Sequence, residues 1–127
     1  VQMQVDPAAC RVRVDALHME QALVALLTNA IQASAPDQSV RVWVRPAPET
    51  RGAWQLAVED DGVGIRPEIR EAIFLPYFTT KPDGNGIGLA IANKVVRTHG
   101  GRLTVESEPA RGSRFLALLP GLVMEPD

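Results

Sequence analysis

A chain of 127 residues with 46% hydrophobic and 22% charged residues is long enough for one globular domain that buries a real core. A net charge of -2 with a pI near 5.7 supplies no basic field, which argues against nucleic acid as a partner, and no apolar run approaches the ~20 residues of a bilayer span. Cys10 is the single cysteine, which excludes an internal disulfide and a cysteine metal cluster and leaves a small inert thiol as the reading. The chain begins at Val1 without a charged-then-apolar leader, so it reads as a soluble fragment, with a membrane segment elsewhere in a parent protein left open.

In chain order, Val1, Met3 and Val5 alternate with Gln2 and Gln4, and Arg11-Val12-Arg13-Val14 alternates again after Pro7, so both stretches predict short strands. Asp15 predicts an N-cap for a long helix from Ala16 to about Ser34. That helix is apolar nearly all round, which predicts burial between layers. Asn29 interrupts the apolar run, among Ala22, Ala25, Leu26 and Ala33 at helical spacing. Two readings stay open for it: a bond to neighbouring backbone, or an oxygen ligand for a hard cation such as magnesium.

Val40 to Arg45 and Trp54 to Glu59 read as a hairpin around a turn at Pro46 to Gly52. The second strand runs into Asp60-Asp61-Gly62-Val63-Gly64-Ile65. A carboxylate at a strand end can accept a hydrogen bond from an exocyclic amine such as adenine's, and alternate glycines let a flat ring reach the backbone. An ordinary Asp-Gly turn is the plain alternative, and a calcium loop is disfavoured because no closing glutamate follows. Arg66 to Ile73 predicts a short helix with Pro67 in its first turn.

Phe74 to Asp83 combines the aromatic anchors Phe74, Tyr77 and Phe78 with the polar tip Thr79-Thr80-Lys81, which predicts a hinged cover that is mobile until an anion arrives. Gly84-Asn85-Gly86-Ile87-Gly88-Leu89 then leads into a helix, and glycines at every second position leave amides free to wrap phosphate at the positive end of its dipole. A plain tight connection is the competing reading for that loop. His99-Gly100-Gly101 reads as a turn, Arg102 to Glu106 as a strand, Ala110 to Ser113 as a turn, Arg114 to Pro120 as a last strand and the tail from Gly121 as loose. His18 and His99 read as a helix-surface and a turn residue.

Taken together, Asn29 to Ala33, Asp60 to Ile65, Ile73 to Lys81 and Gly84 to Leu89 resemble, in order, the N box, first glycine box, F box and second glycine box of sensor histidine kinases. The segment from His99 through Phe115 is similar to the family's last segment, and the Phe-Thr-Thr-Lys stretch is most like the nitrogen-regulation and dicarboxylate-sensor branch. The resemblance covers about residues 1 to 120, leaving 121 to 127 as tail. It implies an α/β fold, a two-layer sandwich in which a mixed sheet of about five strands packs against three helices.

The resemblance also implies roles. Asn29 would ligate magnesium, Asp60 would take the adenine amine, Gly62 and Gly64 would line the base, and Gly84, Gly86 and Gly88 would hold the phosphates of ATP. Lys81 would reach the outer phosphates, so Asn29 and Lys81 are the expected catalytic pair, and Ser113 would support Asp60 through a water. Ile65, Ile73, Phe78, Thr80, Ile87 and Leu89 complete the expected nucleotide-binding set. Many members carry a second Asn one turn before the first, and here that position is Ala25; hydrolysing relatives carry a water-activating glutamate there.

The implied activity is transfer of the γ-phosphoryl group of MgATP to a histidine on a separate dimerisation domain of the parent, followed by relay to a response-regulator aspartate. Neither His18 nor His99 has the setting of that acceptor. The implied location is cytoplasmic, with no nucleic-acid or membrane contact by this fragment, which alone would be a monomer. Two rivals stand beside it: a non-catalytic nucleotide-sensing module, and a water-activating ATPase that Ala25 disfavours.

Overall fold

The structure, a computed structural model, describes residues 2–5, 15–47, 52–76, 78 and 87–120. The expected strand at Arg11 to Val14, Cys10, the cover tip at Thr79 to Asp83, Gly84 to Gly86 and the tail lie outside the described residues. Among the described residues five strands form one mixed sheet: β1 (Gln2–Val5), β2 (Val40–Pro46), β3 (Ala53–Asp60), β4 (Arg102–Glu108) and β5 (Gly112–Pro120), in the order β1-β2-β3-β5-β4. β1 runs parallel to β2 and every other pairing is antiparallel. The α-helices of the described residues, α1 (Ala16–Ala33) and α2 (Gly88–Thr98), pack on one another and on the sheet. Where the third helix was expected, residues Pro67–Ile69 and Ala72–Phe74 make two separate 3-10 turns. Each is one turn long, and no capping side chain supports either start.

Period-two alternation decides the faces of the sheet. Val40, Val42, Val58, Phe115, Ala117 and Leu103 face the helices and meet Ala22, Leu26, Ala30, Ala92 and Val96 in one core. Phe115 is its centre, fully buried, with the Phe74 ring edge-on at 6.2 Å. The opposite face carries an interlocked charged array. The Trp43 indole donates to Glu59 at 2.7 Å, Arg114 and Arg41 reach the same carboxylate at 2.7 and 3.3 Å, and Arg45 stacks over Trp43 at 3.9 Å.

α1 starts as its sequence predicts, with the Asp15 carboxylate accepting the His18 amide at 3.0 Å. Its burial differs from the expectation. Only one stripe, Ala22, Leu26 and Ala30, is buried, while Leu17, Val24 and Ile31 are 63%, 55% and 54% exposed. The sheet covers one side and α2 a second, and no described element lies over the third. His99 does more than turn the chain: its Nδ1 donates to the Val95 carbonyl at 2.7 Å and its Nε2 accepts the Asp15 amide at 2.8 Å. The end of α2 is thereby tied to the start of α1.

Candidate functional site

Asp60, Ser113 and Ser107 form a polar row on the helix-facing side of the sheet, because Asp60 pairs with Ser113 across β3 and β5, and Ser113 with Ser107 across β5 and β4. They are 3%, 8% and 8% exposed, the only buried polar residues among those described. A polar row through an apolar layer needs a use for each atom. Asp60 Oδ1 accepts the Gly62 amide at 2.9 Å, whereas its Oδ2 is buried without a partner among the described residues. Burial raises the Asp60 carboxyl above the ordinary carboxylate range, with the Gly62 and Ser113 amides opposing it. Oδ2 is thus an acceptor with no hydrogen-bond partner among the described residues.

The two neighbours of Asp60 point the other way and are pinned there. Arg41 grips Asp61 with both terminal nitrogens at 2.8 and 2.9 Å, a bidentate bond that holds the Asp61 carboxyl below the ordinary range. For Glu59 burial alone would raise the carboxyl, but Trp43, Arg114 and Arg41 together hold it below the ordinary range. An open depression of about 510 Å³ joins this array to the polar row, since Arg41, Glu59, Asp61 and Arg114 line it together with Asp60, Ser107 and Ser113. Each of its carboxylates other than Asp60 already has an arginine.

The loop after Asp60 is close to both neighbouring elements, which is why it carries glycines. A Cβ on Gly62 would run into the Ala33 carbonyl at the end of α1, and one on Gly64, at φ +73°, into the Glu108 carbonyl. The Val63 carbonyl accepts the Ala110 amide at 2.8 Å, and the Ile65 amide donates to Ser107 Oγ at 2.8 Å. The loop is therefore welded to the β4-β5 turn. Ser107 was not singled out in the sequence, and no local signal could have found it, since its partner Ile65 is 42 positions away.

On the opposite wall, Ile87 caps α2 without a side-chain hydrogen bond, so the first amides of Gly88, Leu89 and Ala90 meet no capping group from it. α1 brings Ala25 to this point: its Cβ is 3.7 Å from where a Cβ on Gly88 would stand. Asn29, half-buried, follows one turn later on α1. Ile73 is buried, and Ile65, Phe78, Leu89 and Ala25 pack against the same core. Ile65, Ile73, Phe78 and Leu89 thus share one core on the sheet face that carries Asp60 and Ser113, with Gly62 against the end of α1 and Asn29 and Gly88 on the helices. Thr80, Lys81, Gly84 and Gly86 fall outside the described residues.

Residues 14–122 match the family described as histidine kinase-, DNA gyrase B-, and HSP90-like ATPase. The sensor histidine kinase ZraS of Klebsiella oxytoca is 40% identical over 114 residues, which cover 90% of this chain and 24% of that protein. The chain therefore spans about a quarter of the length of the curated relative. The mycobacterial sensor histidine kinase MprB superimposes with a TM-score of 0.85 at 34% identity, over 97% of this chain and 82% of that one. Full-length ShkA, solved in complex with AMPPNP, superimposes with a TM-score of 0.84 at 25% identity, over 98% of this chain and 26% of that one.

Proposed function

Because the chain belongs to the histidine kinase-, DNA gyrase B-, and HSP90-like ATPase family, as the catalytic domain of a sensor histidine kinase, we propose that its cleft holds MgATP for phosphoryl transfer to a histidine of a separate dimerisation domain. The parent would then pass the group to a response-regulator aspartate. The observation that carries this reading is the buried Oδ2 of Asp60, without a partner among the described residues, beside a glycine-cleared backbone. Such an oxygen is made for an exocyclic amine, and a carboxylate bond to it is charge-assisted.

Each residue then has a task. Asp60 takes the adenine amine, Gly62, Gly64, Ile65, Ile73 and Phe78 flank the base, and Ser113 supports Asp60 through a water. Gly84, Gly86 and Gly88 would offer amides to the phosphates, the start of α2, where Ile87 makes no side-chain cap, would add its dipole, and Thr80 and Lys81 would reach the outer phosphates. The N-terminal strand through β5 form one working unit, residues 1 to 120, and no described helix is long and apolar enough to cross a membrane.

The donor chemistry suits magnesium. No cluster of three His, Cys, Asp or Glu is available among the described residues, whereas Asn29 offers a hard amide oxygen and the phosphates would supply more. Asn29 would hold the ion, which when bound screens phosphate charge. In the transfer itself the acceptor nitrogen forms a bond to the γ-phosphorus as the bond to the β-γ bridging oxygen breaks, and ADP leaves. The chain's own contribution is positioning and charge stabilisation.

A nucleotide-sensing module without transfer is the rival with the same cleft. Mixing the chain with its cognate histidine domain and γ-labelled ATP separates them, since only the kinase yields acid-labile, alkali-stable label on histidine. Binding without any label would leave the sensing module as the function.

A further inference from the structure

Ser107 Oγ has three polar neighbours: the Ile65 amide at 2.8 Å, the Gly112 carbonyl at 2.8 Å and Ser113 Oγ at 2.9 Å. A hydroxyl offers one proton and two lone pairs, so this one is saturated. The amide can only donate and the carbonyl can only accept. Ser107 must therefore spend its proton on Gly112 and one lone pair on Ile65, and its second lone pair is left for the proton of Ser113. With that proton committed, Ser113 turns only lone pairs toward the cleft. Asp60 Oδ2, next to it across the β3-β5 pairing, is also an acceptor. The Ser107 carbonyl meanwhile accepts Arg70 Nη2 at 2.6 Å, which fixes the 3-10 turn that follows the glycine loop.

Resting on the reading of Asp60 as the base-reading carboxylate, we infer that Ser107 is a positioning residue that sets base specificity. It anchors Ile65 and polarises Ser113, so that the cleft floor is an all-acceptor surface matched to a purine with an amino group at position six. A six-oxo purine presents an acceptor there and meets two further acceptors. A bridging water between Asp60 and Ser113 obeys the same polarity, because it must give a proton to each and then faces the base with its own lone pair.

Calorimetric titration of the chain with ATP, with inosine triphosphate and with inorganic tripolyphosphate tests this. Ser107→Ala frees the Ser113 proton to donate into the cleft and loosens Ile65. It is expected to weaken ATP about tenfold, to narrow the preference for ATP over inosine triphosphate by a similar factor, and to leave tripolyphosphate unchanged. Ser107→Thr keeps the hydroxyl and is expected to restore the preference. Should Ser107→Ala fail to fold, Ser113→Ala reads the same preference without disturbing the Ile65 bond, and it too is expected to narrow it. A wild-type preference in Ser107→Ala or in Ser113→Ala, or an equal loss of ATP and tripolyphosphate, overturns the inference alone. A wild-type chain that binds both purine nucleotides equally overturns it together with the assignment of Asp60.

Discussion

Three consecutive acids, Glu59, Asp60 and Asp61, titrate in different directions because β3 alternates its faces: burial raises Asp60, while arginines and an indole hold its neighbours low. Asp60→Asn replaces one acceptor oxygen with a donor group facing the amine and is expected to cost on the order of 2 to 4 kcal/mol in ATP binding by calorimetry. Asp61→Asn is expected to cost far less, since Asp61 faces Arg41 on the outer side of the sheet. Stability moves the other way. A carboxyl whose folded pKa lies above its unfolded value binds more protons folded than unfolded, so stability falls as pH rises between the two values and the penalty stands in full above the folded one. The empty Asp60→Asn chain is therefore expected to melt higher than wild type at neutral pH, the gap closing as pH falls below the ordinary carboxylate range. A lower melting point at neutral pH would contradict the assignment of a burial cost to Asp60.

At the scale of elements, the β4-β5 turn shows what alternation and turn residues make legible and what they hide. The turn expected at Ala110 to Ser113 lies instead at Glu108 to Arg111, with Pro109 at its second position, the Arg111 amide on the Glu108 carbonyl at 3.1 Å, and Gly112 and Ser113 already in β5. The third position, which favours glycine, holds Ala110 at φ +64°. Ala110→Gly is expected to raise stability by about 0.5 to 1 kcal/mol in urea denaturation, relief of a left-handed alanine less the extra entropy of glycine. Gly64→Ala, left-handed and against the Glu108 carbonyl, is expected to lose at least about 2 kcal/mol in the same assay. The hairpins, the Asp15 cap and the start of α2 at Gly88 were readable because periodicity and capping are local. The Asp15-His99 and Ile65-Ser107 bonds were not, since they join residues 84 and 42 positions apart and depend on how layers meet. The outward stripe of α1 escaped for the same reason: Leu17, Val24 and Ile31 carry no mark of which side receives a partner layer. Asp60 was singled out by its place before two glycines, whereas its Oδ2, without a partner among the described residues, became visible only in the packed sheet.

For the molecule as a whole, the proposed function turns on where the γ-phosphoryl group would go, and α1 bears on it through the position one turn before Asn29. That position is Ala25, beside the start of α2, and a methyl group neither ligates a metal nor takes a proton from water. The unmodified chain is therefore expected to release almost no phosphate from ATP alone, while still labelling an added histidine domain. Gly88 carries no β-carbon, and one built there would stand 3.7 Å from the Ala25 Cβ, so a longer side chain at position 25 has no β-carbon opposite it. Ala25→Asn is expected to tighten magnesium-dependent nucleotide binding through a second oxygen, and Ala25→Glu to raise phosphate release on the order of tenfold or more without gain in histidine labelling. Asn29→Ala is expected to abolish transfer. Steady-state phosphate release decides the matter: brisk turnover by the unmodified chain that survives Asn29→Ala would place the activating group elsewhere and make this a hydrolase cleft.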